Sequence, residues 1–268
     1  METSITPTNF RRAARRWSDP KEHAQYLAPF FAVHEAERSR AGYEPGQVWA
    51  WDDDKAVGKC LELVWQLAGK WGALRGPVPV RRDAFDAAVT RSVPALAREL
   101  NRLRVRDLSQ LGDMSGSNYN ATVSSIQHNV AEISKVKPTA ETQPVLGSKV
   151  LHHFFPSVIP VYDEEMVSGK ALRTQAFLAF RERPKNPWAL RSWEHGSAME
   201  EYDHYLSFCA EQVFDTERSV LRTLRETMAR SVADLAPRKL IEDHRSLLWR
   251  LDAKVAEYCL IGTWYGSS

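Results

Sequence analysis

The sequence has few cysteines and no recognisable metal-binding motif. Its three cysteines, Cys60, Cys209 and Cys259, are far apart in a chain of 268 residues. This number excludes a disulfide framework, a cysteine-rich structural zinc site and a four-cysteine iron–sulfur cluster. The eight histidines do not form an H-E-x-x-H pattern. We therefore expect no bound metal.

Long hydrophobic runs are also absent from the sequence. No apolar stretch has the length that a membrane span requires. The first arginines, at positions 11, 12, 15 and 16, are not followed by the continuous apolar segment of a signal peptide. These absences predict a cytoplasmic protein without a membrane partner.

Charge is balanced over the whole chain but not along it. The formal net charge is +2. Basic residues outnumber acidic ones at positions 70–106 and 218–250, whereas positions 194–217 contain acids and neither lysine nor arginine. Solvated helix faces explain such blocks simply. A basic groove for a polyanion such as DNA is the sharper interpretation.

Alternating apolar and polar residues are scarce, and helical periodicity dominates instead. Apolar residues recur at helical spacing in four stripes. The stripes are Val57–Trp71, Leu96–Leu103, Val220–Met228 and Leu248–Cys259. We predict an all-α protein of about ten helices.

Glycine, proline and asparagine clusters predict the breaks between the helices. The predicted loops are Gly72–Pro79, Gly112–Asn120, Lys135–Gly147 and Arg183–Pro187. We expect residues 1–268 to form one domain whose helices pack as two lobes with a cleft between them. The lobes would comprise residues 40–135, and residues 136–268 together with the N-terminal segment.

The segment from Pro144 to Met166, PVLGSKVLHHFFPSVIPVYDEEM, contains the most informative residues. A turn at Gly147 that opens a helix would leave free backbone amides there and at Ser148, which can hold a phosphate. The helix dipole at such a position disfavours the charged form of Lys149, and a neutral amine is a nucleophile. Two prolines then carry the chain in an extended path to Asp163, at the start of the next helix.

This segment resembles the helix-hairpin-helix DNA glycosylase superfamily, in particular its bacterial branch similar to 8-oxoguanine DNA glycosylase. Residues 146–151, LGSKVL, resemble the family's hairpin and its lysine, and Val161-Tyr162-Asp163 resembles the approach to its aspartate. The resemblance implies a helix-hairpin-helix motif at the centre of the fold. It also implies removal of a damaged or modified base from double-stranded DNA, in repair or in defence against phage with modified DNA.

The resemblance further implies the roles of individual residues. Lys149 would attack the anomeric carbon and form a Schiff base, which would add lyase activity, and Asp163 would stabilise the oxocarbenium-like state. Gly147, Ser148 and His152 would contact DNA, and no cofactor would be required. We expect a monomer. Which base is excised stays open, as does a monofunctional mechanism without the Schiff base.

Several residues have a plain alternative. Asp163 suits a helix N-cap, and we expect it to be both a cap and a catalytic carboxylate. His152 and His153 are typical of helix packing for at least one of the two. Asn118 and Tyr119 belong to a polar segment that is typical of a turn but could also wedge into DNA.

Aromatic and basic residues elsewhere leave further choices open. A tryptophan could stack on an extruded base, and the candidates are Trp49, Trp51, Trp188 and Trp193. The arginines of the first helix could contact phosphates or only form a surface. The alternative functions are a DNA-binding protein that has lost catalysis and an all-α interaction protein without a nucleic-acid role.

Overall fold

The computed structural model describes residues 3–17, 19, 54–76, 78–138, 143–182, 197–233 and 251–267. Regular structure within these ranges is entirely helical, which confirms the predicted all-α class. The ten α-helices of these ranges are α1 (Pro7–Arg16), α2 (Asp54–Lys70), α3 (Arg82–Arg102), α4 (Leu108–Asp113), α5 (Gly116–Ser134), α6 (Pro144–Phe154), α7 (Gln175–Arg181), α8 (Ser197–Phe214), α9 (Arg218–Ala233) and α10 (Asp252–Ser267). A π-helical turn, Glu164–Ser168, and a 3₁₀ turn, Ala171–Arg173, lie between α6 and α7.

The predicted apolar stripes face the interior. Val57, Val64 and Ala68 of α2 have no solvent exposure, and Leu221 and Leu224 of α9 are nearly as buried. The buried apolar side chains of the described helices form one contiguous cluster. No helix in this part of the chain is both long and apolar enough to cross a bilayer. The division into two lobes stays a prediction.

Two helices begin earlier than the loop residues in the sequence suggest. The predicted loop over Gly112–Asn120 is wrong, because α5 already begins at Gly116 and two residues separate it from α4. Ser115 is the extended N-cap residue of α5, a position that serine favours. Helix α6 begins at Pro144 and not after Gly147, because proline at the first helical position has its φ already fixed for a helix.

The two ends of the described chain pack against each other. Helix α1 runs along α10, and the Asn9 side-chain amide donates to Thr263 Oγ1 at 3.0 Å. A Cβ atom on Gly262 would lie 1.8 Å from the backbone oxygen of Asn9, so glycine is required for this close contact. The contact brings the end of α1, and Trp17 after it, beside the middle of α10, where the Trp17 ring lies 5.1 Å from the ring of Tyr258.

A buried ion pair anchors the beginning of α10. Arg225 of α9 donates from Nη2 to Asp252 Oδ2 at 2.7 Å, and the Asp252 side chain has no solvent exposure. Burial raises the pKa of Asp252 to about 6, although the charge and hydrogen bond of Arg225 oppose this rise. The carboxyl group therefore binds its proton more tightly in the folded protein than in the unfolded chain.

Replacing Asp252 with asparagine is expected to flatten the pH dependence of stability. Between the ordinary aspartate pKa of about 4 and the folded value, the folded protein holds more protons, so this group's contribution to the free energy of unfolding falls as pH rises. Asparagine cannot titrate. Urea unfolding at about pH 4 and about pH 6.5 measures the difference. Equal pH dependence in the two proteins would contradict this account of Asp252.

Candidate functional site

Lys149 and Asp163 form an ion pair that joins two elements of the fold. Lys149 lies on α6, and Asp163 immediately precedes the π-helical turn, fourteen positions later. The distance between Lys149 Nζ and Asp163 Oδ2 is 2.8 Å. The lysine side chain is 7% exposed and the aspartate side chain is 32% exposed. The pair is thus accessible to solvent mainly through its carboxylate.

The two carboxylate oxygens of Asp163 have different partners. Oδ1 accepts a hydrogen bond from the backbone amide of Glu165 at 3.0 Å, and Oδ2 accepts from Lys149. The Asp163 carbonyl oxygen also accepts from the amides of Val167 and Ser168. The predicted capping role of Asp163 is therefore confirmed, and capping fixes the direction in which Oδ2 points.

The dipole argument for Lys149 is wrong in its placement of the residue. Because α6 begins at Pro144, Lys149 is the sixth residue of the helix, beyond the first turn in which the dipole acts strongly. Its amine is held instead by Asp163 and by the backbone oxygen of Trp71, which accepts from Nζ at 3.2 Å.

Trp71 forms an aromatic wall beside the ion pair. Its ring centroid lies 5.9 Å from Lys149 Nζ and 4.9 Å from the ring of His153. The sequence analysis included Trp71 only as the last member of an apolar stripe. Its position just after α2, where the chain turns at Gly72 with a φ of 69°, was the available signal that the backbone oxygen could face a partner.

A second ion pair lies on α10, close to the same tryptophan. Lys254 Nζ and Glu257 Oε2 are 2.9 Å apart, and the two side chains are 3% and 2% exposed. Lys254 Nζ lies 5.7 Å from the Trp71 ring centroid and 5.9 Å from that of Trp17. Two lysine amines therefore lie near the ring of Trp71.

Electrostatic interactions couple the two ion pairs. Burial raises the pKa of Glu257, and the adjacent Lys254 opposes this effect. The negative charge of Asp163 raises the pKa of Glu257 further, whereas the charge of Lys149 lowers it. Sequence analysis missed Lys254 and Glu257 because a lysine and a glutamate three positions apart are typical of an exposed helix face. The signal was the unusually apolar helix around them, which is buried on every side.

The helix-start amides expected at Gly147 and Ser148 are not available in this structure. The amide of Gly147 donates to Ser134 Oγ at 2.9 Å in a buried contact. Ser148 is fully buried, and its Oγ accepts from the amide of Tyr162 at 3.0 Å. These bonds hold α6 against α5 and against the path to Asp163. The role of Gly147 and Ser148 in DNA binding stays a prediction, without the free amide proposed for Gly147.

The remaining predicted contacts fall in different environments. His152 is 1% exposed, and its Nδ1 lies 2.6 Å from the backbone oxygen of Ile159, as in a packing histidine. Tyr119 is 2% exposed, and its hydroxyl lies 2.7 Å from Ser207 Oγ. A buried tyrosine cannot wedge into a duplex, so that interpretation is wrong for this conformation. Asn118 is exposed on the first turn of α5.

The site combines a nucleophile, a carboxylate and an aromatic surface. A lysine amine in its neutral form attacks electrophilic carbon, and a carboxylate stabilises a developing positive charge. Within the described ranges no three His, Cys, Asp or Glu side chains are arranged to hold a metal ion. The four tryptophans considered as stacking residues, at positions 49, 51, 188 and 193, lie outside the described residues.

Comparisons of the chain with protein-family models, with curated proteins and with solved structures gave no match, so the argument for function rests on the site itself.

Proposed function

We propose that the protein is a DNA glycosylase that removes a damaged or modified base from double-stranded DNA, with lyase activity through Lys149. One observation carries the proposal. Lys149 and Asp163, the two residues singled out by the resemblance to helix-hairpin-helix glycosylases, meet at 2.8 Å although fourteen positions separate them. A partly exposed carboxylate beside a buried amine suits a reaction at a sugar carbon that needs both groups.

Lys149 would be the nucleophile. The extruded nucleotide would enter on the side of Asp163, whose carboxylate is the more exposed of the two, and would separate the ion pair. After Lys149 has lost a proton, its lone pair forms a bond to C1′ of the deoxyribose. The N-glycosidic bond breaks, and its electron pair leaves with the base, which takes up a proton. Opening of the sugar ring then gives the Schiff base.

Asp163 would stabilise the reacting sugar. The glycosidic bond breaks through an oxocarbenium-like state, and the nearby carboxylate offsets its positive charge. The hydrogen bond from Glu165 to Oδ1 keeps the carboxylate in place during this step. Elimination at C2′ of the Schiff base would then release the 3′ phosphate, and hydrolysis of the imine would free Lys149.

The low exposure of Lys149 favours a second candidate function. A lysine that is 7% exposed and bonded to both Asp163 and Trp71 is also suited to a structural role. In that case the chain would be a DNA-binding protein that does not release a base. Salt-dependent binding without base release from any substrate would identify this second function.

Incubation with a panel of duplexes distinguishes the two candidates. Each duplex contains one oxidised purine or one hypermodified pyrimidine, and released bases are quantified by mass spectrometry. We expect release from at least one duplex by the wild-type protein and none above background by Lys149→Ala. Lys135→Ala is the matched control, because Lys135 forms an exposed ion pair with Glu132 on α5. Release at the wild-type rate by Lys149→Ala would disprove the nucleophilic role.

A further inference from the structure

Two cations from different parts of the fold converge on one tyrosine near the end of α10. The guanidinium carbon of Arg16, the last residue of α1, lies 5.8 Å from the Tyr265 ring centroid. Lys170 Nζ, from the turn before the 3₁₀ segment, lies 5.7 Å from the same centroid. We call Arg16, Lys170 and Tyr265 the basic rim. Cation–π contacts hold both cations in defined positions although Arg16 is exposed.

The basic rim borders the candidate active site. Glu165 connects them, because its amide donates to Asp163 Oδ1 while its carboxylate lies 3.6 Å from Lys170 Nζ. A second connection runs through Trp17, which follows Arg16 in the chain and whose ring lies 5.9 Å from Lys254 Nζ. The rim is therefore adjacent to the partly exposed carboxylate of Asp163.

The charges of the rim favour an anionic ligand. Two positive groups share one aromatic ring, and the nearby carboxylate of Glu165 is 83% exposed and not in close contact with Lys170. Such an exposed pair contributes little and is readily exchanged. A phosphate accepts charge-assisted hydrogen bonds from both arginine and lysine, and it would satisfy both cations at once.

We propose that the basic rim binds a backbone phosphate of the DNA strand that contains the extruded nucleotide. This inference rests on the proposed function, because the rim lies beside the groups that would engage the sugar, and the phosphates next to that sugar are the nearest anions. It assigns phosphate binding to Arg16, one of four arginines of α1 for which the sequence left phosphate contact and a plain surface open. Tyr265 acts as the platform that orders the two cations.

Salt-dependent binding of an unmodified duplex, measured by fluorescence anisotropy, tests the rim without requiring catalysis. Each phosphate contact that is lost reduces the slope of log K against log salt by about 0.9. Arg16→Ala and Lys170→Ala should each reduce the slope by about one and weaken binding roughly tenfold at about 0.1 M salt. Arg16→Lys should restore the slope. Tyr265→Leu should weaken binding while leaving the slope unchanged, because it removes no charge.

Arg102→Ala is the matched control, because Arg102 is exposed on α3 and forms an ion pair with Glu99. It should leave the slope unchanged, and an equal loss there would overturn the assignment of the rim. Wild-type slopes for Arg16→Ala and Lys170→Ala, with folding verified by thermal unfolding, would also overturn it. If base release persists in that case, the glycosylase proposal stands while the rim fails. If the slopes fall as expected but no duplex loses a base, the rim stands and the glycosylase proposal fails.

Discussion

Replacing Asp163 with asparagine is expected to slow base release by about a hundredfold or more, the scale at which a positioned catalytic carboxylate contributes. Asparagine retains the side-chain oxygen that accepts from the Glu165 amide, and asparagine is as good an N-cap as aspartate. The π-helical turn should therefore persist. What is lost is the negative charge beside Lys149 and beside the sugar. Single-turnover kinetics with excess enzyme isolate the chemical step from product release.

Glu132→Gln provides the comparison for this variant. It also converts a carboxylate that is paired with a lysine into an amide, but the Glu132–Lys135 pair lies on α5 and is largely exposed. We expect wild-type rates from Glu132→Gln. If Asp163→Asn released the base as rapidly as Glu132→Gln, the carboxylate would have no catalytic role, and its contribution would be limited to capping.

Replacing Gly147 with alanine is expected to lower the free energy of unfolding by about 2–3 kcal/mol. A Cβ atom at this position would lie 2.0 Å from the backbone oxygen of Val130 and 2.8 Å from Ser134 Oγ. A backbone oxygen cannot rotate away as a side chain does, so α6 must move away from α5. That movement would also displace Lys149, two residues later on the same helix, and should lower the rate of base release. Urea unfolding measures the stability.

Gly58→Ala is the control for Gly147→Ala. Gly58 also lies within a helix, α2, but a Cβ atom there would have no neighbour within 4 Å. Alanine should then raise the free energy of unfolding by about 0.5–1 kcal/mol, because it restricts the unfolded chain and favours the helix. Equal effects of the two substitutions would show that the close contact between α5 and α6 does not limit stability.

Apolar periodicity was sufficient to predict the helices. The stripes of α2, α9 and α10 became buried faces, because burial of apolar surface determines which side of a helix packs inward. Helix ends were harder to predict. Gly116 and Gly147 suggested turns, yet α5 begins at the first and α6 contains the second. Glycine is favoured both where a chain turns and where two helices touch, and a single sequence does not separate these causes.

The candidate site was predictable in part. Lys149 and Asp163 were identified because a glycine, a lysine and an aspartate fall together in one segment with two prolines. Trp71, Lys254 and Glu257 were missed, because they come from α10 and from the end of α2 and approach the pair only when the helices pack. Contacts between residues that are distant in sequence leave no periodic signal in the chain.

The most direct test of the account is to identify the residue that becomes bonded to the sugar. The wild-type protein is incubated with a duplex from which it releases a base, the mixture is reduced with borohydride, and the digested protein is analysed by mass spectrometry. The account predicts that the deoxyribose remnant is attached to the peptide that contains Lys149. Attachment at Lys254 or any other amine, or base release without any attachment, would contradict the central role of Lys149.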